Sequence, residues 1–238
     1  MFDTAILDNY LDALLQGDRV RCRNIIEKIL QSGTPTNLVY SDIIWPMMTE
    51  IEKLSRRGRI TPAEEHLATR INRTLIDQLQ NKLPKKSLRN KKIIICCTED
   101  ELQELGAQMM ADLFESDGWE VKFLGGGLTN DDILEFINKY SPDVLLIYGT
   151  KPKQAPSIRK LIDTIKDVDA WPEMKIMVSG GIFKRAEGLW EEIGADIYAE
   201  NAIEAVQYAT NHKPQETEHR TINIRKRRIR KKAQQTTA

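Results

Sequence analysis

From Ile93 to Asn211 short apolar runs alternate with amphipathic stretches, and that alternation restricts the chain to very few folds. Ile93 to Cys97 is a continuous apolar run, and Leu102, Leu105, Met109 and Leu113 then recur at helical spacing up to Gly118. Trp119, Val121 and Phe123 alternate as a second strand, closed by Gly125, Gly126 and Gly127. The same periodicities predict a helix over Thr129 to Tyr140, a strand over Val144 to Tyr148, a helix over Ala155 to Val168 and a strand over Lys175 to Ser179. Gly180 and Gly181 follow that strand, and then come a helix over Lys184 to Ile193, a short strand over Asp196 to Ala199 and a closing helix over Ala202 to Asn211. Five strands each followed by a helix predict an α/β, flavodoxin-like, doubly wound parallel sheet of order 2-1-3-4-5. In such a sheet ligands sit beyond the carboxyl ends of the strands, here near strands 1 and 3.

The residues before this region have helical periodicity only. Leu7, Tyr10, Leu11 and Leu14 mark one helix, and Cys22, Ile25, Ile26, Ile29 and Leu30 mark a second. Thr34 and Pro35 read as N-cap and first position of a third, which Pro46 kinks or ends, with Met47, Met48, Ile51 and Leu54 continuing the period to Gly58. Thr61, Pro62 and Glu64 predict a capping box for a long helix with Leu67, Ile71, Leu75 and Leu79 on its buried face. The expected organisation is therefore a helical bundle over 1–83, a basic linker over 84–92, the sheet domain over 93–212 and a tail over 213–238.

Composition narrows the function classes. An apolar content of 41% can bury real cores, and no apolar run approaches the roughly 20 residues that span a bilayer. No signal peptide is legible in Met1 to Gly17, so a cytoplasmic setting without membrane contact is expected. Three cysteines, two of them in a buried strand, indicate neither a disulfide framework nor a zinc site. The net charge is zero, yet eight Lys or Arg lie between Arg220 and Lys232, and the remaining 27 bases face all 35 acids. The tail, without apolar periodicity, is expected to be disordered. Its cluster Arg225, Lys226, Arg227, Arg228, Arg230, Lys231 and Lys232 could neutralise several phosphates nonspecifically, or could solubilise the chain or meet an acidic partner. It has no aromatic residue to stack on bases.

A phosphoacceptor receiver would share the α/β outline, and Glu99 and Asp100 meet its demand for acids after strand 1. The third strand instead ends in Tyr148, Gly149 and Thr150, and no lysine follows Tyr198, so that chemistry is not supported. Gly125 to Gly127 do not give the spacing of a dinucleotide loop.

The order of parts, with the Gly58 to His66 segment, Gly106, Leu124, Gly125, Gly180, Gly181 and the Gly194-Ala195-Asp196 turn, resembles cobalamin-binding proteins. These pair a helical cap with a cobalamin-binding domain, as in methionine synthase, corrinoid methyltransferase proteins and adenosylcobalamin-dependent light-sensing regulators. The resemblance covers about residues 5 to 211. It implies an Asp-x-His-x-x-Gly motif after strand 1 whose His ligates cobalt; alignment on Gly106 places Glu101 and Gln103 at the Asp and His positions. A neutral amide is a weak ligand where imidazole belongs. The family's Ser at the end of strand 3 falls on Tyr148, whose ring would fill part of the channel for the nucleotide tail. On the cap, Glu65 and His66 stand where light-sensing relatives have a Glu-His pair, and Ser55 replaces the Trp eleven residues earlier. His66 could face a ligand, or could be a solvated residue in a polar stripe with Arg70, Arg73 and Asp77. Gly180 and Gly181 could approach a nucleotide loop or simply form a tight turn, and Gly125 could do the same.

Together these residues lead to a non-enzymatic sensor or regulatory adaptor, holding cobalamin weakly without a His ligand or not at all. Its protein partner is not legible. The alternatives are a corrinoid carrier for methyl transfer and a nucleic-acid-associated protein anchored by its tail.

Overall fold

The computed structural model describes residues 3–101 and 103–211. The tail, with its seven clustered cations, lies outside the described residues, as does Leu102.

The first half is helical. α1 (Thr4–Leu15) and α2 (Arg19–Gln31) start on Asp3 and Asp18, whose carboxylates accept from the backbone N–H of Ala5 and Arg21. The third helix is capped by Pro35 instead of Thr34, and Pro46 does not end it. α3 (Thr36–Val39) runs through a wide π-turn, Tyr40–Ile44, into α4 (Trp45–Arg56). In that turn the Trp45 N–H reaches back five residues to the Tyr40 carbonyl, so the chain stays helical into a residue that has no N–H to give. α5 (Pro62–Leu79) begins with the expected capping box: Thr61 and Glu64 each bond the other's backbone.

One expected core residue of α5 is displaced. Leu67 is 49% exposed, while Ala68, Ile71, Leu75, Ile76 and Leu79 are buried. The apolar stripe is rotated toward Ala68 and Asn72, where the Tyr10 hydroxyl donates to Asn72 Oδ1 at 2.7 Å.

The second half is the five-stranded parallel sheet, in the order β2-β1-β3-β4-β5. Its strands are β1 (Lys92–Cys97), β2 (Glu120–Gly125), β3 (Val144–Tyr148), β4 (Lys175–Ser179) and β5 (Ile197–Ala199). Its helices are α6 (Leu105–Ser116), α7 (Asn130–Tyr140), α8 (Ala155–Val168), α9 (Gly181–Arg185), α10 (Leu189–Glu192) and α11 (Ala202–Asn211). The single helix expected over 184–193 is thus two. It starts early because Ile182 and Phe183 must be buried, at 3% and 2% exposure, and it breaks at Gly188.

Alternation along the strands divides the interior in two. Ile94, Cys96, Leu145, Ile147, Ile176 and Val178 face α7, α8 and α9. Ile93, Ile95, Cys97, Val144, Leu146, Tyr148 and Met177 face α6 and α11, and their cluster continues without a break into the buried residues of α1, α2, α4 and α5. Residues 84–91 carry the chain between the halves. They are pinned to the α6–β2 turn, with Lys86 N–H to Ser116 O at 2.9 Å and Arg89 N–H to Gly118 O at 2.8 Å. The helical half therefore comes to rest over the carboxyl ends of β1, β3 and β4. None of the described helices is long and apolar enough to cross a membrane.

Candidate functional site

The turn after β1 is built around a buried carboxylate. Glu101, 3% exposed, accepts from the Thr150 N–H at 2.9 Å, from Thr150 Oγ1 at 2.6 Å and from the Gln103 N–H at 2.7 Å. Three donors offset much of the desolvation of that charge and tie the β1 turn to the β3 turn. Gln154 joins them, accepting from Thr150 N–H at 2.9 Å and Lys151 N–H at 2.8 Å.

Gln103 turns its side chain away from the sheet. Its Nε2 donates to Glu65 Oε1 of α5, and Glu65 Oε2 accepts from Ser55 Oγ of α4. Ser55, Glu65 and Gln103, three positions singled out in the sequence, thus form one chain of contacts from cap to sheet. The two residues placed by resemblance on opposite sides of a ligand touch each other.

Beneath them Gly106 and Tyr148 are in close packing. A Cβ on Gly106 would lie 2.7 Å from Tyr148 Cζ, so only glycine admits the ring. Tyr148 is 7% exposed, and burial pushes its hydroxyl well above the usual phenol range, so it stays protonated. The space beneath the first βα turn is filled by the protein's own side chain.

The glycines have separate roles. Gly180 has φ +105°, and a Cβ there would meet Gly149 C at 2.9 Å, so the β3 and β4 turns approach at backbone distance. Gly181 sits under the Arg185 side chain. Gly125 lies beside Glu104, whose Oε2 accepts from the Gly126 N–H at 3.0 Å. His66 is exposed on the rim of the cleft beside Glu65.

Several contacts that close the cleft were not singled out from the sequence. Arg185 donates to Glu52 of α4 and to the Thr150 carbonyl. Arg73 of α5 lies 3.3 Å from Glu104, and Gln108 Nε2 donates to Asp77 at 2.7 Å. Deeper in, the Tyr40 hydroxyl donates to Asp112 Oδ2 of α6 at 2.9 Å. Burial pushes the Asp112 carboxyl up to about 6, against the opposing pull of the Tyr40 hydrogen bond. These partners are 31 to 133 residues apart, and only the capping-type spacing of Glu64 and Thr61 had any local sequence signal.

Between cap and sheet lies a cavity of about 80 Å³ bounded by Trp45, Ile51, Glu65, Gln103, Tyr148 and Gly181. It opens beside an outer groove of about 620 Å³ that His66, Glu104 and Lys151 also line. No group of three or more His, Cys, Asp or Glu suited to a metal ion occurs among the described residues.

Two family models described as "B12 binding domain" match the chain, one over residues 91–207 and one over residues 6–80. Dimethylamine corrinoid protein 3 of Methanosarcina acetivorans is 24% identical over 206 residues, covering 86% of this chain and 95% of that protein. Monomethylamine corrinoid protein 2 of the same organism is 21% identical over 217 residues, covering 89% and 99%. The solved Methanosarcina barkeri monomethylamine corrinoid protein superposes with a TM-score of 0.77 at 19% identity, covering 89% of this chain and 100% of that one. At that identity the superposition shows a shared fold.

Proposed function

Because the chain belongs to the B12-binding-domain family, we propose that it is a non-catalytic corrinoid carrier protein for methyl transfer that supplies no imidazole to cobalt. The supporting observation is the cap seated over the carboxyl ends of β1, β3 and β4, with cap and sheet matched by family models on both sides of the linker. The sensor or regulatory adaptor expected from the sequence has less support, since the curated relatives carry the names of methylamine corrinoid proteins. The nucleic-acid alternative rests on the tail alone, outside the described residues.

The residues fit the outline of a corrinoid site and not its metal. Gln103 commits its amide N–H to Glu65, which leaves a weak carbonyl oxygen as donor. Tyr148 occupies the space under Gly106, and the inner cavity of about 80 Å³, which opens beside the outer groove, is by itself far below the ~300 Å³ or more of ordinary ligand pockets. The closed arrangement therefore does not accommodate a corrinoid, and no transfer step is assigned to it. A bound corrinoid would supply cobalt-based methyl carriage. The chain's own residues govern access: Glu65 with Gln103 and Glu52 with Arg185 hold the cap down, and the Tyr148 ring fills the space against Gly106. Loading requires those cap contacts to part and the ring to turn.

A second reading, a cofactor-free adaptor on the same frame, is favoured by the Gly106–Tyr148 packing. Gel filtration of the full chain after incubation with methylcobalamin or hydroxocobalamin, followed by a visible spectrum, separates the two. The carrier reading expects corrinoid co-eluting at micromolar protein, with tighter retention by the Gln103→His/Tyr148→Ser variant. Loss of all corrinoid from both proteins would overturn it in favour of the adaptor.

A further inference from the structure

The outer groove at the mouth of the cleft holds more positive charge than the fold uses. Its walls carry Arg56, Arg70, Arg73, Lys151 and Arg185. Arg56 comes from the end of α4, Arg70 and Arg73 from α5, Lys151 from the turn after β3 and Arg185 from the end of α9. Three carboxylates share the groove, and all are engaged. Glu52 accepts from Arg185, Glu104 from Arg73 and the Gly126 N–H, and Glu65 from Ser55 and Gln103. Arg56, Arg70 and Lys151 have no carboxylate partner among the described residues.

Like charges gathered around a concave surface repel one another and raise the local concentration of anions. The peripheral amides of a corrin are neutral and the nucleotide loop of a complete cobalamin carries a single phosphodiester, so a corrinoid in the cleft would leave most of these cations unmatched. Guanidinium groups present flat pairs of donors that match phosphate oxygens, and a lysine adds a point charge. The cations stand on both walls, two unpaired on the cap and one on the sheet. The ligand that matches them carries several linked anionic groups, not one. We propose that this groove binds an oligophosphate, either free or as the phosphate chain of a nucleotide, and that it does so with no corrinoid present. Arg73 and Arg185, lent to Glu104 and Glu52 in the closed form, can exchange those carboxylates for phosphate. Oligophosphate binding is thereby linked to the contacts that hold the cap against the sheet.

The test is calorimetric titration of sodium tripolyphosphate into the full chain at fixed ionic strength. Three proteins are compared: the unaltered chain, the Arg56→Gln/Arg70→Gln variant, and a variant with the seven tail cations from Arg225 to Lys232 changed to Gln. Both groove positions are exposed, so an unchanged melting temperature without ligand checks that the double variant folds. Saturable one-to-one binding that weakens at least tenfold in the groove variant and persists in the tail variant is the expected result. Binding that persists in the groove variant and vanishes with the tail cations, or no saturable binding at all, overturns the proposal. ATP and adenosine titrated in parallel identify the source: ATP binding as tripolyphosphate does, with adenosine inert, assigns recognition to the phosphates alone, and tighter ATP binding adds a nucleoside contribution.

Discussion

The inner wall of the cleft and its mouth are closed in different ways. At the inner wall, Tyr148 against Gly106 and Glu101 against Thr150 are buried, and the fit leaves no room for an added methyl group. At the mouth, Ser55, Glu65, Gln103, Glu52 and Arg185 meet through polar groups that are half-buried and can take water as an alternative partner. Steric closure is expensive to undo, whereas an exchange of solvated hydrogen bonds is nearly neutral. The polar contacts at the mouth can therefore be exchanged at little cost, while the floor and the apolar core shared by cap and sheet resist change.

Replacing the floor should have the largest effect. Tyr148→Ala removes a buried ring and should lower stability by about 3 kcal/mol in chemical denaturation. It should at the same time raise corrinoid retention, so a destabilised variant with no gain in retention would mean that the floor is not what limits binding. Gly106→Ala should cost about 2 kcal/mol by forcing the ring out of place. In a Tyr148→Ala background the same substitution should cost much less, and full additivity in that double-mutant cycle would show that the two residues do not meet.

The Tyr40–Asp112 contact is buried between the cap and α6 and responds to pH. The carboxyl of Asp112 titrates near 6 in the folded chain, raised first by burial and further by Glu115 and Asp77, against an ordinary value of 3.8. The native state then binds the proton more tightly than the unfolded state. Stability from this group should fall as pH rises from about 4 to about 6 and level off above, by about 1–2 kcal/mol. Asp117 and Asp143, where burial is outweighed by lysine or arginine partners that hold each below the ordinary carboxylate value, contribute with the opposite sign at the acid end, so the measurement is the difference between the unaltered chain and Asp112→Asn across pH 4 to 7. A flat difference would remove this group from the balance. At the mouth, Glu52→Gln should change stability by less than ~1 kcal/mol, since both partners are about 30% exposed. A change as large as that of Gly106→Ala would erase the contrast between the two regions.

Much of the framework was legible before any coordinates. The five strands and their order follow from apolar runs of strand length separated by amphipathic helices, a pattern with few chiral solutions. The α5 capping box follows from Thr61 and Glu64 three positions apart. The exposure of Leu67 was not legible, because a helix with apolar residues on neighbouring stripes does not say which stripe its partner will cover. Nor was the early start of α9, where burial of Ile182 and Phe183 decided, or the break at Gly188, whose backbone takes a φ of +82°.

The site divides along the same line. That position 103 is a Gln and position 148 a bulky Tyr are properties of single positions, and the sequence alone determined them. That Gln103 reaches Glu65, that Glu101 serves Thr150, and that Glu52 finds Arg185 from 133 residues away were decided only by the tertiary structure. Secondary structure and strand order arise from periodicities within a few residues, which any reader of the chain can see. Pairing of polar side chains across a domain boundary depends on how two folded bodies come to rest, and no local pattern records that.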